Sequence, residues 1–340
     1  MITAVVGAQA GSEGKGAVVA AIASQYNVHV RTGGPNAGHT FYHDEQKWVA
    51  RGLPCGWVNP EAKLVIGPGA VLDWKLLLEE IEQVEAAGFF VRNRMYVDPR
   101  AVCVTDAQHQ HEGGTDGRAH QTIGSTGEGV GMARVAKISR RSLLRGPEFA
   151  TVQAQDVEEL GSICRQYDYR ENDDVLLEGT QGSMLSLTHG VWPYVTSADT
   201  NAAQLLADAG LSPGNFTETI LVARTFPIRV AGNSGPLPLE TSWAEVGVPE
   251  ERTTVTLKVR RVGQWHPEWV AEAVRLNKPA VLVVTFFDYL FPETEGMTDW
   301  GELTEEQLSW IHDAEDDTGT LVVGIGTGPQ TIAWRWKSFR

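Results

Sequence analysis

The sequence has 340 residues, 42% of them hydrophobic and 21% charged, and a formal net charge of −15 at pH 7. Such a chain buries a large core and is neither disordered nor fibrous, and its acidity excludes a broad nucleic-acid-binding face, so any phosphate ligand must meet a local basic pocket. Cys55, Cys103 and Cys164 are odd in number and far apart, which suggests neither a disulfide framework nor a zinc site; with no membrane-length apolar run and no signal-peptide pattern in "MITAVVG", the expected setting is the cytoplasm.

Along the chain, short β-branched runs alternate with helical patterns: "ITAVVG" then "GKGAVVAAIASQY", "KLVIG" then "LDWKLLLEEIEQVEAAG", "DVLLEG" then "NAAQLLADAG", "AVLVVTFF" then "EEQLSWIHDA" and "TLVVGIG". This alternation predicts an α/β fold, a mainly parallel central sheet flanked by helices, as one domain over 1–340 with long active-site loops. In 72–84 the apolar positions 72, 74, 76, 77, 78, 81 and 84 mark a buried helical face and leave Glu79, Glu80, Glu82 and Gln83 for solvent. The stretches 105–135 and 225–262, rich in Gly, Thr and Arg, are predicted as long loops that carry sites.

Two glycine-rich loops follow the first two strands. "GAQAGSEGKGAVV" (7–19) lacks the Walker A spacing, since Gln9 stands five before Gly14 and Gly16 follows Lys15. Its physics is still that of an anion cradle: Gly11, Gly14 and Gly16 permit close approach, a helix N-terminus offers N–H groups, and Lys15 adds charge. "RTGGPNAGHT" (31–40) places Asn36, Gly38 and His39 in a second turn.

Together these loops resemble adenylosuccinate synthetase, whose signatures have the form GDEGKG and GGxNAGHT, and the resemblance runs through most of the chain. It covers "IGSTGEGVGMARVAKISRR" (123–141), "LLEGTQGSMLSLTHGVWPYVTS" (176–197), "TFPIRVAGNSGP" (225–236), "TTVTLKVRR" (253–261) and "GTGP" (326–329). In that family a nucleoside triphosphate phosphorylates the purine 6-oxygen and the amine of L-aspartate displaces the phosphate. The resemblance implies a C–N ligase, magnesium and a homodimer.

It also implies residue roles. Ser12, Lys15, His39 and Gln181 stand at the catalytic positions, with Lys15 stabilising moving charge, His39 donating a hydrogen bond or proton to oxygen, and Gln181 holding the base. Gly11, Ser12, Glu13, Gly14, Lys15, Gly16, Gly38, His39, Thr40, Phe286, Asp288, Gly326, Thr327, Gly328 and Pro329 would hold the donor. Ser12, Asn36, Ser125, Thr126, Gln181, Thr196, Arg229, Val230 and a neighbouring subunit's copy of Arg140 would hold the monophosphate. Thr254, Val255, Thr256, Lys258 and Arg260 would hold aspartate, although "KVRR" by itself also reads as a solvated basic edge. Ser12 and Gly38 occupy the metal positions.

The departures are as informative. Ser12 stands where the family has an aspartate that takes the purine N1 proton and touches magnesium, tasks for which a hydroxyl is poorly suited. Three explanations stay open: a catalytically inactive nucleotide-binding relative, an ordinary synthetase acting on IMP with GTP through a compensating residue, or a changed purine with an exocyclic group at C2. A phage branch of the family, the 2-amino-2′-deoxyadenylosuccinate synthases, carries serine here and converts dGMP toward 2-aminoadenine. Further along, "TFFD" (285–288) keeps Asp288 but has Phe286 in place of the lysine that reads guanine, so ATP or dATP is the expected donor, unless Phe286 and Phe287 are core residues. Glu128 and Lys258 each replace an arginine, which leaves the aspartate pocket's construction open.

Overall fold

The computed structural model describes residues 1–113, 117–140, 146–253 and 258–336. Its centre is a nine-stranded sheet in the order Ile332–Trp334, Val322–Gly326, Val281–Thr285, Glu218–Arg224, Ile2–Gly7, Val175–Glu178, Val28–Arg31, Lys63–Ile66 and Met95–Val97. Every neighbouring pair is parallel except the edge strand Ile332–Trp334, which runs antiparallel to Val322–Gly326. The predicted α/β architecture is thus the observed one.

The two-residue period of the strands sorts their side chains into two apolar layers. Val5 and Leu176 face a layer with Val18, Val19 and Ile22 of the helix Lys15–Ile22 and Leu77, Ile81 and Val84 of the helix Trp74–Ala86. Their neighbours Ala4, Val6, Val175 and Leu177 face the opposite layer, where Leu205, Val270 and Ile311 come from the helices Ala202–Ala209, Pro267–Asn277 and Glu305–Thr318. Among the described residues no helix is long and apolar enough to cross a membrane.

Local chemistry accounts for the helix boundaries. Asp73 accepts the N–H of Leu76 at the start of Trp74–Ala86, Asn201 accepts that of Gln204, and Thr304 forms a capping box with Gln307. One sequence expectation fails in this region: Glu80, assigned to solvent, is buried and accepts the backbone N–H groups of Arg51, Gly52 and Leu53. Those three donors line a bend that no strand satisfies, and the helix supplies the acceptor.

The stretch 105–135 is also more ordered than predicted. It carries the helices Asp106–Glu112 and Arg118–Ile123 and the start of Val130–Ser139, with Gly113 and Gly124 as left-handed C-caps. The stretch 225–262 contains the strands Ile228–Arg229 and Glu240–Thr241 and the first residues of Arg261–Gly263, which form a small antiparallel sheet.

The parallel strands Ile2–Gly7, Val28–Arg31, Val175–Glu178, Glu218–Arg224, Val281–Thr285 and Val322–Gly326 all end on one edge of the sheet. Open α/β sheets bind their ligands outside such carboxyl ends. All but three of the residues assigned a role from sequence follow one of these ends or the helices and small sheet packed beside them, and the three, Thr254, Val255 and Thr256, lie outside the described residues.

Candidate active site

The loop after Ile2–Gly7 is organised from within by Glu13. Its buried carboxylate accepts the N–H groups of Gln9 at 3.1 Å and Gly11 at 2.8 Å and pairs with Lys15 Nζ at 2.6 Å, while Thr285 Oγ1 donates to the Glu13 carbonyl at 2.7 Å. Glu13, expected to contact the donor, is turned inward as the loop's scaffold. Two N–H groups of the loop are therefore engaged, which leaves the helix start at Gly14 and Lys15 as the loop's candidates to meet an anion. Gly14 adopts φ 81°, and a Cβ on Gly16 would lie 2.8 Å from His39 Cβ, so glycine at 16 is what lets the helix press against the second loop.

His39 opens the strand His39–His43, which pairs with Gln46–Ala50, so it belongs to a hairpin rather than to a flexible turn. Its Nδ1 lies 2.6 Å from Glu178 Oε1 and 3.2 Å from Arg31 Nη1. Glu178 also pairs with Arg31 and accepts the Cys55 N–H at 2.7 Å. Burial and then Arg31 push the His39 pKa down to about 4. Burial pushes Glu178 the other way, but Arg31, His39 and the Cys55 N–H outweigh it and bring the carboxyl to about 2. The ring is neutral near pH 7 and the carboxylate is charged. His39, Cys55 and Glu178 bring three potential metal-ligand atoms within 4.8 Å; the Arg31 guanidinium in the same contact makes this an ion pair and leaves a cation no place.

Between the second loop, the helix Val130–Ser139 and the segment after Val175–Glu178 lies a cleft whose walls include Asn36, Gln181 and Thr196, three residues assigned to the monophosphate substrate. Thr180 Oγ1 donates to Gln181 Oε1 at 2.8 Å, which leaves the Gln181 amide N–H groups to offer to a purine oxygen. Arg134, from the helix Val130–Ser139, lines the same cleft with its Nε buried and without a partner. Sequence reasoning passed over Arg134, although it lies in the quoted 123–141 segment four residues beyond Val130, one turn along the same face.

On the other side, Arg224 is fully buried at the end of its strand. It donates to Glu251 Oε1 at 2.6 Å and to the Ser12 carbonyl at 3.3 Å, and its Cζ lies 3.8 Å from the centre of the Phe286 ring. Phe286 (φ 57°) is thus stacked on a guanidinium, while Phe287 is a core residue. Burial raises the Asp288 pKa to about 6. Gly326 packs with its Cα against Thr285, its Cβ position 3.1 Å from Thr285 Cα, which sets Thr327, Gly328 and Pro329 beside the 285–288 turn; Thr327 Oγ1 donates to the Met297 carbonyl at 2.6 Å.

Ser12 is exposed at φ 59°, and Arg260 Nη1 donates to its hydroxyl. Arg260 Nε also donates to the Arg252 carbonyl at 3.2 Å. Of the positions assigned to magnesium, Ser12 Oγ faces a guanidinium, and the nearby carboxylates of Glu13, Glu178 and Glu251 are each committed to a basic partner, so these residues alone form no magnesium cage and suit an ion that arrives on a triphosphate.

The remaining assigned residues are distributed around these walls. Ser125 and Thr126 lie half-buried in the turn before Val130–Ser139, where Ser125 Oγ accepts the Gly127 N–H at 3.2 Å. His120 Nδ1 meets the Ser125 carbonyl at 2.6 Å and its Nε2 meets Lys258 Nζ at 3.1 Å, which ties Lys258 to that turn. Glu128 pairs with Arg51 at 2.5 Å, and Arg51 Nε donates to the Pro35 carbonyl at 2.7 Å. The acidic residue at 128 therefore joins this turn to the second loop.

Arg229 is buried, donates Nη1 to the Ser234 carbonyl and leaves Nε and Nη2 unpartnered. Burial and then Arg261 lower its pKa to about 10. The Val230 carbonyl accepts Ser234 Oγ at 2.6 Å. Arg140 is the exposed left-handed C-cap of Val130–Ser139. Thr254, Val255 and Thr256 lie outside the described residues.

Known proteins share both this fold and this sequence pattern. The family model described as adenylosuccinate synthetase matches residues 4–167 and 154–295. Adenylosuccinate synthetase of Methanococcus maripaludis is 37% identical over 336 residues, covering 96% of each chain, and that of Methanococcus vannielii is 38% identical over 350 residues, covering 98% of this chain and 99% of the other. Among solved structures, cyanophage S-2L succinoaminodeoxyadenylate synthetase bound to dGMP and dATP superposes with a TM-score of 0.80 at 30% identity, covering 97% of this chain and 93% of that one. Plasmodium falciparum adenylosuccinate synthetase superposes with a TM-score of 0.81 at 21% identity, covering 98% and 99%, and so shares the fold. The chain belongs to the adenylosuccinate synthetase family and is a carbon–nitrogen ligase.

Proposed function

We propose that this ligase joins the amine of L-aspartate to C6 of dGMP, through a 6-phosphoryl intermediate, with ATP or dATP as the phosphoryl donor supplied as its magnesium complex. The observation that carries the reading is the neutral, short side chain at Ser12, whose hydroxyl accepts from Arg260 where the family has a carboxylate. Removing that carboxylate makes room beside N1 for a C2 amine, and a hydroxyl receives an amine N–H without burying a second negative charge. Phe286 supports an adenine donor: a ring stacked on Arg224 offers an aromatic edge and no hydrogen bond to a 6-oxo group. The cyanophage protein with dGMP and dATP bound, 30% identical, agrees with both points.

In this reading the Gln181 amide N–H groups hold the purine 6-oxygen, and Asn36, Thr196 and Arg134, which line the same cleft, face the rest of the monophosphate. Lys15 and the helix start at Gly14 receive charge as the phosphoryl group moves, and phosphorylation turns a poor leaving group into a good one. Arg260 and Lys258 would meet the carboxylates of aspartate, and Arg140 would reach the site of a second copy of the chain.

A second reading, turnover of IMP with GTP, is favoured by the archaeal relatives at 37% and 38% identity. Purified protein given dGMP or IMP, each with aspartate, magnesium and ATP, dATP or GTP, separates the two by phosphate release and by the succinyl product. Turnover confined to IMP with GTP defeats the proposal, and failure of every mixture defeats both.

A further inference from the structure

Glu178 takes no part in the sequence reading, yet it is the most heavily engaged buried carboxylate beside the site. It ends the strand Val175–Glu178 with its side chain 1% exposed. Oε2 accepts the Cys55 N–H at 2.7 Å, while Oε1 receives Arg31 Nη1, His39 Nδ1 at 2.6 Å and Cys55 Sγ at 3.2 Å. A guanidinium has no acceptor and a carboxylate paired with it is an acceptor only, so the proton between His39 Nδ1 and Glu178 Oε1 resides on the ring. Arg31 Nη1, 3.2 Å from the same nitrogen, is a second donor converging on the shared oxygen and does not decide the tautomer. The base of the side chain is also held, because Gly16 admits the His39 Cβ so closely that a methyl group would lie 2.8 Å from it.

We propose that Glu178 is a positioning residue that holds His39 as the Nδ1–H tautomer and fixes the plane of its ring, so that Nε2 is the nitrogen left for the phosphoryl-transfer site, where it donates to oxygen once the ring has gained a second proton. The assignment rests on the reading of His39 as a residue of the transfer site and adds what that reading lacks. The ring in this state takes a hydrogen bond or a proton at Nε2 and donates from Nε2 only after gaining one. Arg31, itself held by the Ala37 carbonyl at 2.7 Å, secures the carboxylate and ties the arrangement to the second glycine loop.

The tautomer is read directly from the 15N resonances of the His39 ring in the wild-type protein, assigned with His39→Asn. A protonated Nδ1 with a bare Nε2 is expected, and a protonated Nε2 overturns the proposal. Kinetically, Glu178→Asp keeps the charge opposite Arg31 and withdraws it from the ring, and Glu178→Gln keeps the length and loses the charge. Each is expected to lower kcat by about 100-fold, with KM for both nucleotides within about twofold of wild type. A loss of turnover in His39→Asn with full kcat in both folded Glu178 variants overturns the positioning role alone. Full turnover in His39→Asn overturns the reading of His39 and the positioning role with it. Should neither Glu178 variant fold, the wild-type ring resonances decide.

Discussion

Restoring aspartate at position 12 tests the steric basis of the purine assignment. Ser12 has φ 59°, a left-handed conformation that aspartate adopts more readily than most residues, so Ser12→Asp leaves the loop and its Glu13 scaffold in place. The change adds two heavy atoms and a charge where the hydroxyl now meets Arg260. Crowding of that size against the C2 amine of guanine costs about 1–3 kcal/mol, which is about 5- to 150-fold in kcat/KM. IMP carries only hydrogen at C2 and escapes it. The new carboxylate also pairs with Arg260 and raises the KM for aspartate, but it does so with either nucleotide and cancels in their ratio. The prediction is therefore that the ratio of kcat/KM for dGMP to that for IMP falls by about 5- to 150-fold, measured by phosphate release at saturating ATP and aspartate. A ratio that is unchanged or raised refutes the reasoning.

The other consequences are more local. Glu13→Ala strands the Lys15 ammonium in a buried site and frees two loop N–H groups, with an expected loss of about 3–5 kcal/mol in denaturant unfolding; a loss below about 1 kcal/mol would mean that Lys15 finds another partner. Phe286→Leu removes the ring beneath Arg224 and is expected to cost about 1–2 kcal/mol and to raise KM for ATP more than KM for dGMP, an order that steady-state kinetics would reverse if the ring served the core alone. Acid should weaken the fold in two stages. His29 and His39 are each held at about 4, below the ordinary 6.5, so the stability they confer is complete above 6.5 and is lost as pH falls through 4; Glu178, at about 2 against an ordinary 4.5, adds a second loss below 4.5. Asp288, raised to about 6, acts with the opposite sign between 6 and 3.8, and unfolding free energies that stay level from pH 7 to 4 would contradict the assignment.

The strands and the main helices were legible because β-branched runs and three- and four-residue spacings are local signals. Glu80 shows a local signal misread: it stands three after Leu77 and four before Val84, on the buried face, and its charge alone sent it to solvent. The glycines of 105–135 were read as loop composition when Gly113 and Gly124 are helix C-caps. The buried ion pairs were beyond reach for a different reason. Glu178 meets Arg31 across 147 residues and His39 across 139, and Arg224 meets Ser12 across 212, contacts made by parallel strands whose order the sequence does not state. Arg134 lay in a segment that was recognised, and only its distal arginine was weighed.

These long-range pairs give the serine at position 12 a second consequence. Lys15 is matched by Glu13, Arg31 by Glu178, Arg51 by Glu128 and Arg224 by Glu251, so these four basic residues beside the loops are each balanced by a carboxylate of the chain. Arg260, by contrast, donates its side-chain hydrogen bonds to the Ser12 hydroxyl and the Arg252 carbonyl, both uncharged, and feels Glu251, already paired with Arg224, only through space. A carboxylate at 12 would neutralise this guanidinium, and its absence leaves the positive charge for an anion arriving from solution. In a chain of net charge −15 that matters, because an acidic amino acid approaches against the overall field and is held only where the local potential is reversed. On the proposed reading, then, the same short side chain that admits a larger purine also leaves Arg260 charged for L-aspartate, and the choice of nucleotide and the capture of the amino acid are two effects of one position.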